Sequence, residues 1–213
     1  MTELKKIGIS RDDRRRGEYS RVKDHPTWSN EAKPWAVPRW PFDGKHYSIE
    51  VHYLYRTVFN LGKGNYANLG VYKGASTNAF VCGAVDHGGH VYGVDLFEST
   101  EMYPDLLDKS EVEEEFKAKG TDMFVTLCKG LTSEWAEKLS HLKFKFIFID
   151  ADHRYEGVLE DFKLWNPLLE KGGLISFHDC DMEPVHQVIT EELDDWELVD
   201  HVFRIKSFKR KGE

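Results

Sequence analysis

The sequence predicts an α/β protein: a seven-stranded, mostly parallel sheet with helices on both faces and an antiparallel hairpin at the C-terminal end. Three observations carry this. From residue 47 onward, short apolar runs alternate with amphipathic stretches, and strand–helix alternation repeated this often builds a parallel sheet covered on both sides. Within "FKFIFIDA" (144–151) four apolar residues stand in succession, as in a strand buried on both faces. The stretch "WELVDHVFRIKSF" (196–208) reads as a terminal hairpin with a short turn near Asp200.

Taken in order, residues 1–45 stand apart from the rest. They hold three of the six Trp and four of the seven Pro, all of them in "HPTWSNEAKPWAVPRWPFDG". Proline this dense rules out a regular helix, and Trp this dense argues against a free tail. We expect an extended arm packed on the body or on a second subunit, either covering apolar surface only or also lining a pocket. "YSIEVHYLYRTVFNLGKG" (47–64) has helical apolar spacing and a glycine stop. Strands are predicted at 66–72, 90–97, 123–130, 144–151 and 173–180, with helices over 76–87, 99–119, 132–141 and 155–170 between them. Ser133 and Asn166-Pro167 suit helix edges, "EKGG" (170–173) suits a helix stop, and "VHQVITEEL" (185–193) is helical before the hairpin. The organisation is therefore a Trp/Pro-rich arm, 1–45, and one domain, 46–213.

Totals narrow the function classes. A chain of 213 residues with 40% hydrophobic residues is large enough for one core. No apolar run approaches the ~20 residues of a membrane helix, and "MTELKKIGISRDDRRRGEY" lacks the apolar centre of a secretory signal. Three cysteines without a C-x-x-C pair read as reduced thiols in a cytoplasmic protein. Net charge is −8, but residues 1–45 carry eleven Lys/Arg against seven Asp/Glu, so the body is strongly acidic. That disfavours nucleic acid as a partner, although "RDDRRRGEYSR" remains either a solvated arm or a local anion contact.

In parallel sheets of this kind ligands bind beyond the carboxyl ends of the strands. After the first predicted strand, "NLGVYKGAST" (68–77) spaces Gly70 and Gly74 as G-x-x-x-G. This suits a sharp turn or a close backbone approach to a nucleoside, and lacks the G-x-G-x-x-G of a nicotinamide site. Asp95 ends the second strand, placed either to accept ribose hydroxyls or to cap a helix. Leu131, Thr132 and Ser133 follow the third strand, either beside an adenine or as a helix cap. The fourth strand ends in Asp150-Ala151-Asp152-His153 and the fifth in His178-Asp179-Cys180-Asp181. If these two strands are neighbours, ~4.8 Å apart, Asp150 and Asp179 converge and either share a proton or hold a cation.

These motifs resemble class I S-adenosylmethionine-dependent methyltransferases over about residues 65–207. The subgroup most similar is that of macrocin O-methyltransferase and cephalosporin-hydroxylase-like proteins. The most specific segment is "FIFIDADHRYEGVLEDFKLWNPLLEKGGLISFHDCD" (146–181). The resemblance implies a Rossmann-like sheet. It also implies a cofactor loop at Gly70 and Gly74, ribose on Asp95, and adenine beside Leu131-Thr132-Ser133. Metal-using relatives imply Asp150, His178 and Asp179 as ligands of magnesium or manganese, with His153 as general base. Two departures stand out. Asn68 replaces the acid that usually precedes the first glycine in the cofactor site, and His178 stands where a carboxylate is common.

The expected activity is O-methylation of a polar small molecule such as a sugar hydroxyl, with Asp150 and His153 catalytic. Asp152 either orients His153 or faces solvent. Tyr155 and Glu156 either touch substrate or start a helix. The alternatives are a non-catalytic cofactor-binding or assembly module, with homo-oligomers formed through the arm, and a nicotinamide-dependent oxidoreductase.

Overall fold

The structure is a computed structural model that describes residues 49–99 and 108–212. The predicted arm, 1–45, lies outside the described residues. Helix α1 (Ile49–Leu61) buries Val51, Leu54 and Val58, one turn or so apart, and stops at Gly62. The Gly62 N–H donates to the carbonyls of Val58 and Phe59, and its φ of 72° is the left-handed conformation of a helix end.

Strands β1 (Asn65–Leu69), β2 (His90–Asp95), β3 (Val125–Lys129), β4 (Phe144–Ile149) and β5 (Leu169–Phe177) are parallel. β6 (Trp196–Val202) and β7 (Ile205–Arg210) complete one seven-stranded sheet in the order β3-β2-β1-β4-β5-β7-β6, antiparallel from β5 onward. The chain winds outward from β1 in both directions, so the loops after β1 and β4 part and leave a crevice at their carboxyl ends. Register fixes what meets there. Leu69 lies opposite Ile149, and Ile149 opposite Phe177, so Asp150 and His178 leave the sheet side by side.

Helix α2 (Ala75–Val85) and α1 cover one face, where Phe80 stacks on Phe146 at 5.0 Å between centroids. On the other face α4 (Thr132–Lys138), α5 (Tyr155–Trp165) and α6 (Glu183–Glu192) bury Ala136, Phe162, Trp165 and Val188 with Ile147, Ile149 and Ile175. Buried hydroxyls anchor α1 to the antiparallel side. Tyr53 donates to Ser207 Oγ at 2.6 Å, and Ser207 meets Ser176 at 2.5 Å.

Three predicted elements differ. Of the helix predicted over 99–119, residues 100–107 lie outside the described residues; helix α3 spans Lys109–Ala118, started by a capping box of Asp108 and Glu111. Helix α5 ends at Trp165, Pro167 sits in a short 3₁₀ turn, and β5 begins at Leu169, so the "EKGG" stop lies inside the strand. The hairpin turns at Phe203-Arg204, with Val202 opposite Ile205, while the region of Asp200 holds a bulge. Phe203 supplies the positive φ, 53°, that a tight hairpin turn needs.

Candidate functional site

The loop after β1 is held by its neighbour. Asp95, at the end of β2, accepts the backbone N–H groups of Val71 and Tyr72 on Oδ2, both at 2.8 Å, and that of Phe97 on Oδ1 at 2.9 Å. Tyr72 and Phe97 both sit at positive φ, 51° and 50°, which aromatic residues rarely adopt. A carboxylate has about four acceptor positions, so one of Asp95's remains for a further donor such as a hydroxyl. Asp95 caps none of the described helices.

Gly70 has φ 91°, and a Cβ there would lie 2.6 Å from the Asp150 carbonyl carbon. A close backbone approach at this glycine is thus made by the end of β4. Gly74, φ 84°, is the N-cap of α2. Asn68 is 0% exposed, and its Nδ2 contacts the Gly70 carbonyl and the hydroxyls of Ser76 and Thr77. Nδ2 thus braces the loop from inside, while Oδ1 is buried without a hydrogen-bond partner among the described residues.

After β3, Leu131 is the N-cap of α4 and offers no side-chain cap, so neither Thr132 nor Ser133 caps the helix. Leu131 is 52% exposed, and Leu96, at the end of the adjacent strand β2, is 43% exposed. Two exposed leucines beside Asp95 suit a flat, weakly polar group.

At the tips of β4 and β5 the predicted convergence is present. Donor atoms of Asp150, His153, His178 and Asp179 lie within 4.8 Å of one another. His153 Nε2 is 2.9 Å from Asp179 Oδ2 and 3.5 Å from Asp150 Oδ1. His178 Nδ1 is 2.9 Å from Asp150 Oδ1 and 3.1 Å from Asp179 Oδ1. These contacts are short but poorly aligned: His153 Nε2, His178 Nδ1 and Asp179 Oδ1 are buried and form no hydrogen bond of ordinary geometry. Asp179 itself has φ 51°.

The charges act strongly on one another. Contacts with Asp150 and then Asp179 push the His153 imidazole up to about 9. Burial opposes a charge on His178, but contacts with Asp150, Asp179 and Glu50 outweigh it and push the ring up to about 12. Burial likewise disfavours the Asp179 carboxylate, yet His153, His178 and Arg204 hold it well below the usual range. The donor set, two carboxylates and two imidazoles with misaligned buried atoms, fits a divalent cation.

Two members of the site are invisible in strand-end reasoning. Glu50, from α1, puts Oε1 3.3 Å from His178 Nε2. Arg204, from the hairpin turn, reaches Asp179 at 2.8 Å and Asp181 at 2.9 Å. No local motif marks either residue. Asp152 does not orient His153 and is not free: Arg154 pairs with it at 2.6 Å and holds its carboxyl low. Tyr155 starts α5 and donates to Glu191 at 2.6 Å. Cys82, Cys128 and Cys180 are buried thiols outside any disulfide, each pushed up by burial. No described helix is long and apolar enough to cross a membrane.

A family model described as "Methyltransferase domain" matches residues 67–180, more than half of the chain, and the chain belongs to that family. Cofactor-bound Rv0187 from MTB is similar over 91% of this chain and 96% of that one, with TM-score 0.63 and 16% identity. CalS11, a calicheamicin methyltransferase, is similar over 78% of each chain, with TM-score 0.61 and 15% identity. An O-methyltransferase from Bacillus cereus, in complex with SAH, is similar over 76% of this chain and 81% of that one, with TM-score 0.58 and 18% identity. At these identities the likeness carries the fold, the seven-stranded class I sheet. No curated protein sequence matches the chain.

Proposed function

We propose that the protein transfers a methyl group from S-adenosylmethionine to a hydroxyl of a polar small molecule, such as a sugar. The observation that carries this is the acid–imidazole cluster at the tips of β4 and β5, next to a β1 loop organised by Asp95. In this reading the ribose donates to the remaining acceptor position of Asp95. The adenine rests against Leu96, Leu131 and the start of α4 at Thr132-Ser133. The sulfonium faces the crevice between β1 and β4.

A sulfonium methyl is already activated, so the protein has to align the acceptor oxygen and take its proton. The new bond joins that oxygen to the methyl carbon, the old carbon–sulfur bond breaks, and S-adenosylhomocysteine leaves. His153 would receive the hydroxyl proton at Nε2; Asp150 and Asp179 push this imidazole up, and a cation on those carboxylates would leave it a neutral base. A divalent cation held by Asp150, His178 and Asp179 would supply positive charge beside the hydroxyl and lower its pKa. Asp150 also faces both imidazoles.

Binding and chemistry separate in the test. S-Adenosylhomocysteine raises the melting temperature of the wild type, and NAD does not. His153→Ala and Asp150→Asn retain that shift and lose methyl transfer to a hydroxyl acceptor by about a hundredfold or more. Near-normal transfer by both variants overturns the mechanism; a shift with NAD alone overturns the cofactor.

A further inference from the structure

We propose that Glu50 is a positioning residue. It holds His178 through Nε2 and leaves Nδ1 facing Asp150 and Asp179, so that the cluster prefers an imidazole-accepting divalent ion such as manganese, cobalt or zinc over magnesium or calcium. The inference rests on the reading of this cluster as a cation site.

Four observations support it. Glu50 Oε1 lies 3.3 Å from His178 Nε2, on the ring edge opposite the nitrogen that faces the two aspartates. The same oxygen accepts the backbone N–H of Arg204 at 3.2 Å, so the carboxylate is fixed from a second direction. Helix α1, which carries Glu50, is tied to the sheet by Tyr53 and Ser207. His178 Nδ1 is buried without a well-aligned hydrogen bond, although carboxylate oxygens lie within about 3 Å of it.

Chemistry supplies the selectivity. A carboxylate on the far nitrogen of an imidazole fixes its tautomer and raises the basicity of the near one. Magnesium and calcium take oxygen ligands and gain little from nitrogen, whereas first-row transition ions accept it readily.

The test uses the full chain freed of metal by chelation and titrated separately with Mn²⁺, Co²⁺, Mg²⁺ and Ca²⁺ by calorimetry, with Co²⁺ also followed by visible absorption. The wild type is expected to bind Co²⁺ and Mn²⁺ about a hundredfold tighter than Mg²⁺. Glu50→Ala weakens Co²⁺ binding about 10–100-fold, and Glu50→Gln, which keeps an acceptor oxygen, recovers most of the loss. Thermal melts with S-adenosylhomocysteine check that each variant is folded. Should Glu50→Ala fail to fold, His178→Asp serves instead and should narrow the Co²⁺-to-Mg²⁺ ratio. A wild type that binds no divalent ion, Mg²⁺ within tenfold of Co²⁺, unchanged binding in Glu50→Ala, or an unchanged ratio in His178→Asp overturns the proposal. If S-adenosylhomocysteine still binds and methyl transfer proceeds without metal preference, this inference alone fails and the methyltransferase reading stands.

Discussion

Asp161 offers a test of the interior that reads stability and not methyl transfer. It lies on α5, 2% exposed, with Oδ2 buried and without a hydrogen bond. Burial raises its carboxyl from 3.8 to about 7, and the Thr132 hydroxyl opposes this only in part. The folded protein therefore keeps the proton at pH values where the unfolded chain has lost it. Stability from this group is full below pH ~4 and is lost as the pH rises to about 7, and the curve is flat above that. Three pKa units correspond to about 4 kcal/mol, an upper bound because a buried charge recruits water or shifts its surroundings. Asp161→Asn removes the titration while keeping the shape. Urea unfolding of both proteins at pH 5, 6, 7 and 8 should show the variant gaining on the wild type across this range, by ~2–4 kcal/mol at pH 8. A difference that stays constant from pH 5 to 8 refutes the reasoning, since a shape effect alone does not depend on pH.

Two further substitutions probe the cofactor loop. Gly70→Ala sets a Cβ against the Asp150 carbonyl at a φ of 91°, and should cost ~3 kcal/mol or more, read as a large fall in melting temperature or as insoluble protein. Asp95→Asn leaves one of three backbone N–H groups facing an amide donor. It should cost ~2 kcal/mol in urea unfolding and weaken S-adenosylhomocysteine binding; unchanged values for both would rule out the clamp.

What the sequence reveals of this molecule follows from how local each feature is. The alternation of strands and helices is a local signal, and so is the approach of Asp150 to His178, because parallel register puts Ile149 beside Phe177. The start of α3 was missed, although the Asp108–Glu111 capping box is a four-residue signature. Glu50 and Arg204 carry no such signature. One comes from a helix before the sheet and the other from a hairpin turn after it, and their positions depend on tertiary ties such as Tyr53 to Ser207. Asp152 misleads for the opposite reason. It stands in the densest charged motif, yet the neighbouring Arg154 takes both its oxygens.

The strained backbone shows why the site depends on its carboxylates as much as on its glycines. Of the four described non-glycine residues at positive φ, Tyr72, Phe97 and Asp179 lie just beyond the carboxyl ends of β1, β2 and β5. A left-handed conformation costs an ordinary residue roughly 1–2 kcal/mol, so each needs a compensating interaction. Asp95 supplies two of them by accepting the N–H groups of Tyr72 and Phe97. At Asp179 the compensation is electrostatic, from His153, His178 and Arg204 around its carboxylate, with the Met182 N–H donating to its carbonyl. Charge thus holds the loops of the crevice in conformations that their own side chains disfavour. A substitution that removes charge at Asp95 or Asp179 should therefore move backbone as well as chemistry, whereas one at His153 leaves His178, Arg204 and the Met182 N–H on Asp179 and should move the backbone less.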